Sequence, residues 1–159
     1  MNQRANNLTP AQAWEKMKSW CAYQERCQQD VYQKLRQASL TAAEADTIIA
    51  RLIEENYLNE ERYAIQFAGG HFRQKKWGRQ KILYALRQKQ ISEYCIKKAM
   101  QQIPAADYDE TLLKLAMAKW NAVNAGTPAQ RWAKTKLYLL QKGYASNDVL
   151  AVLQSLQKK

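Results

Sequence analysis

Ile82-Leu83-Tyr84-Ala85-Leu86-Arg87-Gln88-Lys89-Gln90-Ile91-Ser92 is the stretch that decides the fold. Ile82 and Leu86 lie one helical turn apart on a single face, and Ile91-Ser92 marks where that helix stops and the next begins. The same frame occurs earlier as Val31-x3-Leu35-x4-Leu40-Thr41 and later as Thr135-x3-Leu139-x4-Tyr144-Ala145, at offsets of about 51 and 53 residues. After each copy comes a helical pattern with its apolar residues in step: Ile48, Ile49 and Leu52, then Ala99, Met100 and Ile103, then Val152, Leu153 and Leu156. Helical units of this size bury little apolar surface alone and gain a continuous core by stacking. The expected fold is all-α, with three tandem three-helix repeats (residues 9–57, 58–103 and 104–159) in an elongated, curved array.

Working outward, composition and local signals agree. Among 159 residues there are five Gly and three Pro, and Ala, Leu, Gln, Lys, Arg and Glu fill most segments, all residues that lose little rotamer freedom in a helix. Thr9-Pro10-Ala11-Gln12 and Thr41-Ala42-Ala43-Glu44 read as capping boxes, and Thr127-Pro128-Ala129-Gln130 repeats the first. Asn59, Ser92 and Ser146 read as further N-caps, Gly69-Gly70 as a loosened point or an opening for a close neighbour, Gly78 as a helix end and Pro104 as a stop. Trp14, Trp20, Trp120 and Trp132 fall at core spacing.

The net charge of +11 is unevenly spread. Residues 1–57 are balanced, residues 58–103 hold ten basic against three acidic side chains, and residues 104–159 hold eight against four. Between Glu61 and Glu93 there is no acidic residue at all. Within that interval Arg73, Lys75, Lys76, Arg79, Lys81, Arg87 and Lys89 alternate with Phe72, Trp77 and Tyr84, on a segment whose helical periodicity implies a shaped surface and not a disordered arm. Such a surface suits the phosphates of a nucleic acid, where Lys and Arg release counterions. A solvated face with cations complementing a helix C-terminus is the plainer reading, although such a face normally mixes signs. Lys134, Lys136 and Lys142 form a sparser second set that Lys158 and Lys159 would extend. Tyr84 and Trp77 could stack on unpaired bases, although packing in the core or between helices is the plainer reading for Trp77, as it is for Phe72.

Catalytic and metal chemistry find little here. Cys21, Cys27 and Cys95 are odd in number and not in a C-x-x-C pair, and His71 is the only histidine, so no zinc site can be assembled by spacing and no cofactor is expected. Reduced, buried thiols are the expectation. Neither a nucleophile–base pair nor a G-x4-G-K-[ST] phosphate loop is present, which argues against an enzyme and leaves His71 without a role. The opening Met1-Asn2-Gln3-Arg4-Ala5-Asn6-Asn7 lacks an apolar signal core, and no run approaches a membrane span, so a cytoplasmic monomer is expected.

Three stretches resemble the RecX family, regulators of the RecA recombinase. Tyr57-Leu58-Asn59-Glu60-Glu61-Arg62-Tyr63-Ala64 is similar to that family's YLDDxRFA, Arg73-x4-Gly78-x3-Ile82-x3-Leu86 to its RxxKGxGxxxIxxxL, and Leu139-Leu140-Gln141-Lys142-Gly143-Tyr144 to its LxxRGY. The resemblance runs from about Trp14 to Leu156, with Asn56 and Gln90 where the family usually has Gly. It implies a non-enzymatic protein that lies in the groove of the RecA–DNA filament, modulates its ATPase and its work in recombination and DNA repair, and holds single-stranded, and to some extent double-stranded, DNA weakly on its own. An autonomous DNA-binding module built on the basic middle repeat is the alternative.

Overall fold

The computed structural model describes residues 7–158. Met1–Asn6, which carry most of the segment read as lacking a signal core, and Lys159 lie outside the described residues. Nine helices and no strand are found among the described residues: α1 (Pro10–Tyr23), α2 (Gln28–Gln37), α3 (Ala42–Glu54), α4 (Glu60–Lys75), α5 (Arg79–Gln88), α6 (Glu93–Gln101), α7 (Ala105–Ala122), α8 (Pro128–Gln141) and α9 (Ser146–Gln157). No helix among them is long and apolar enough to cross a membrane.

The starts are set by side chains that satisfy orphan N–H groups. Thr9, Thr41 and Thr127 each accept from the backbone N–H three residues on, and Gln12, Glu44 and Gln130 accept in return from the cap. Asn59 and Ser92 cap α4 and α6. Three expectations at helix ends need correction. Ser146 is the first residue of α9, and Ala145 precedes it with no side-chain cap. Helix α4 runs unbroken through Gly69 and Gly70, because residues around them bury one continuous face. It ends at Lys76, whose φ of 59° is left-handed, so that Gly78 starts α5 instead of finishing α4.

The repeat frame is written in the backbone. Ser39, Gln90 and Gly143 take φ of 71°, 63° and 102°. Immediately after them, the N–H groups of Leu40, Ile91 and Tyr144 donate to the carbonyls of Leu35, Leu86 and Leu139 at 3.2, 3.1 and 3.2 Å. These are three copies of the six-to-one closure that ends a helix through a left-handed residue. Only the third copy uses Gly, so the other two bear Cβ strain. Gln90→Gly should therefore raise the unfolding free energy by roughly 1 kcal/mol, read as a higher urea midpoint at constant m.

Three repeats in sequence make two cores in space. The first triplet closes over Trp14, Met17, Val31, Leu35 and Leu52. The second and third share one core through Phe72, Ile82, Leu86, Tyr108, Leu139, Tyr144 and Leu153. Of the five tryptophans only Trp14 is buried. Trp20 and Trp120 are half-buried lids, covered by the guanidinium groups of Arg26 and Arg131 at 4.1 and 4.2 Å, and Trp132 is half-buried too. A tryptophan is large enough to shield a core with one face and carry a cation on the other.

The joint between the second and third triplets is backbone to backbone. Gly78, having no side chain with which to cap α5, donates its N–H to the Lys142 carbonyl at 2.7 Å, and Gln80 N–H donates to the Gly143 carbonyl at 2.9 Å. Two carbonyls just past the end of α8 thus satisfy donors at the start of α5. Tyr144 Oη donates to the Lys76 carbonyl at 2.9 Å, and Tyr108 Oη accepts from Arg79 N–H at 3.0 Å. By contrast, the first triplet meets the second through ion pairs at 2.8 Å, Arg62–Glu25 and Lys89–Asp30, and through Cys27, which enters the shared core.

Cys21, Cys27 and Cys95 are all buried free thiols. Burial pushes the Cys21 thiol up to about 11 and raises those of Cys27 and Cys95, while the hydrogen bond to Asp30 raises Lys89. All four groups keep their native protonation above the pH at which the unfolded chain loses a proton. The thiols' contribution is complete below their ordinary value of 9.0 and is lost as pH rises past it, while that of Lys89 holds up to its own ordinary value of 10.5. A fall in urea midpoint from about pH 9 upward, with the thiols unreactive toward a disulfide reagent until the protein unfolds, is the expected result.

Candidate nucleic-acid interface

The residues of the acid-free interval are sorted by the fold into three groups. Lys75 and Lys81 both place an ammonium over Trp77, their Nζ atoms 5.4 and 4.7 Å from the ring centroid. Lys142, from the third triplet, reaches across the joint and donates to the Lys75 carbonyl at 3.0 Å. Lys75, Trp77, Lys81 and Lys142 therefore form one cationic patch beside a half-buried indole, assembled from the end of α4, the link to α5, α5 itself and the residue that follows α8. Beside it, the ring of Tyr138 carries Lys119 at 5.1 Å as well as Lys142 at 5.9 Å, so the patch continues along the third triplet.

Arg73, Lys76 and Arg79 turn toward α7. Arg73 and Lys76 line a cleft with Asp107, Glu110 and Lys114, where the signs are mixed, and Lys76 Nζ donates to the Arg73 carbonyl at 2.7 Å. Arg79 lies half-buried with its guanidinium 3.8 Å from the Tyr108 ring, a packing role at the joint. The third group is neutralised. Arg87 makes two bonds to Glu93 at 2.8 and 3.1 Å, which hold the Glu93 carboxyl below its usual value, and Lys89 is paired with Asp30. Lys134 is exposed and Lys136 half-buried on α8, without ion pairs among the described residues. Tyr84 projects from α5 at 67% exposure.

His71 had no role in the sequence and has one in space. Its ring stacks on Phe67 at 3.9 Å and meets Trp77 at 4.5 Å, and Tyr63 follows Phe67 at 5.9 Å. Nδ1–H donates to the Phe67 carbonyl at 2.8 Å, which leaves Nε2 as the free ring nitrogen. Tyr63, Phe67 and His71 are four residues apart along α4, so the row follows one helix face and was legible as i, i+4 spacing. It leads from the Trp77 patch into a cleft of about 740 Å³ between the first and second triplets, lined by Tyr23, Glu25, Arg26, Phe67, His71 and Lys75 among others. No group of three or more potential metal ligands comes together among the described residues.

This architecture defines an all-α repeat protein made of three-helix units with a basic, aromatic middle. The chain belongs to the RecX family: residues 59–100 match the model for the second three-helix domain of RecX and residues 106–153 that for the third. Among similar proteins, regulatory protein RecX of Clostridium perfringens (strain 13 / Type A) is 37% identical over 106 residues, covering 64% of this chain and 49% of that one. Regulatory protein RecX of Bacillus cytotoxicus is 23% identical over 141 residues, covering 89% and 52%. The chain spans about half the length of these relatives. The fold is that of the crystal structure of RecX from Lactobacillus salivarius, with TM-score 0.82, 21% identity and coverage of 94% of this chain and 97% of that one. A second RecX crystal structure superposes with TM-score 0.81 at 23% identity, covering 94% and 72%.

Proposed function

We propose that this chain regulates the RecA recombinase, without being an enzyme, by seating itself on the RecA–DNA filament through the patch of Lys75, Trp77, Lys81 and Lys142. The repeats 9–57, 58–103 and 104–159 act as three successive contact units, the middle one dominant. Membership of a family whose members are named regulatory proteins supports the regulatory part of this reading. The observation that carries the interface is the cationic patch at Trp77, built from two triplets that share one core, since charges held on a rigid joint bind a polyanion without first being ordered. Direct, weak binding of DNA follows from the same patch and should fall steeply as salt rises. The test is RecA's DNA-stimulated ATPase and strand exchange over a wide range of added protein. A concentration-dependent change supports the reading, and unchanged rates throughout refute it.

A further inference from the structure

The cleft between the first and second triplets shares only Lys75 with the patch at Trp77, and its chemistry is more specific than a charged surface. One wall is the aromatic row Phe67 and His71, stacked at 3.9 Å and continuous with Trp77. At the rim stands Tyr23, 85% exposed, an aromatic side chain that packs on nothing within its own unit's core. Arg26 and Lys75 put positive charge at the mouth. Glu25 supplies the most pointed feature: Oε1 accepts from Arg62 Nε at 2.8 Å, while Oε2, removed from solvent, finds no donor among the described residues. A buried carboxylate oxygen without a donor costs free energy that a ligand N–H would recover.

We infer that this cleft receives an unpaired base of a nucleic-acid strand. The ring lies against the Phe67–His71 row under Tyr23, an N–H on the base's pairing edge donates to Glu25 Oε2, and the flanking phosphate sits between Arg26 and Lys75. Aromatic faces for stacking combined with a cationic rim are how single strands are held, and the volume falls within the range of roughly 300–1,000 Å³ usual for ligand pockets. Base-paired DNA keeps its pairing edges and ring faces covered, so the cleft selects single strands. This inference rests on the nucleic-acid part of the proposed function and adds to it where the base goes.

The experiment compares the full-length chain's affinity for a labelled oligodeoxycytidine with that for an abasic strand of equal length, which has the same phosphates and no bases. The intact strand should bind about tenfold or more tightly. Tyr23→Ala, at an exposed position outside both cores, and Glu25→Gln, which keeps an acceptor for Arg62, should each remove most of that advantage while leaving abasic binding as it was. Equal affinity for the two strands overturns the inference, as does wild-type affinity in both variants or no binding of either strand. A change in RecA ATPase alongside equal affinities would remove the base site and leave the regulatory reading standing.

Discussion

Gly78→Ala is expected to lower the free energy of unfolding by about 3 kcal/mol, seen as a reduced urea midpoint. A Cβ at Gly78 would lie 2.4 Å from both the carbonyl carbon and oxygen of Gly143. Those are main-chain atoms that cannot swing aside as a side-chain tip would. The helices must separate, and with them go the bonds from Gly78 N–H to Lys142 and from Gln80 N–H to Gly143. Gly70→Ala is the control. Nothing lies within 4 Å of a Cβ there, and the residue is inside α4, so the change should stabilise by up to about 1 kcal/mol. Loss at Gly78 with gain at Gly70 would show that close approach, and not glycine content, governs the joint.

Lys75→Glu with Lys81→Glu is expected to weaken binding of single-stranded DNA by at least about a hundredfold at low salt, by reversing both charges beside Trp77. Neither lysine makes an ion pair among the described residues, so the unfolding midpoint should fall only by the loss of the two ammonium contacts with the Trp77 ring, about 1–2 kcal/mol in all. Arg87→Glu is the informative contrast. Arg87 already satisfies Glu93, so its reversal should cost DNA affinity far less. The two variants together separate cations that are free to meet a ligand from cations already spent on the protein's own carboxylates.

That separation marks where the sequence was legible and where it was not. Helix count, the register of Ile82, Leu86 and Ile91, and the capping boxes are local signals, and the structure carries them. Ser39 and Gln90 could not announce their left-handed turns by residue type; alignment with Gly143 in the repeat frame exposes both, and the glycine usual in the family at Gln90 marks the second. The acid-free interval looked like one surface because its neutralising partners lie elsewhere in the chain. Asp30, far from Lys89 in sequence, ends as its ion-pair partner at 2.8 Å. Gly78 was read as the end of its own helix, whereas with Gly143 it makes a contact between two backbones, which no single-segment pattern encodes. His71 looked idle because a lone histidine is usually read for catalysis, and its i−4 neighbour Phe67 makes it an aromatic instead.

We propose that the cationic patch on two fused triplets is what lets this chain act on a RecA–DNA filament. Its most direct test is the rate of ATP hydrolysis by RecA on single-stranded DNA, titrated with the wild-type chain and with the Lys75→Glu, Lys81→Glu variant. A dose-dependent change with wild type, and at least about a tenfold higher concentration requirement for the variant, are expected. Coincident curves for the two proteins, or no response to either, would contradict it.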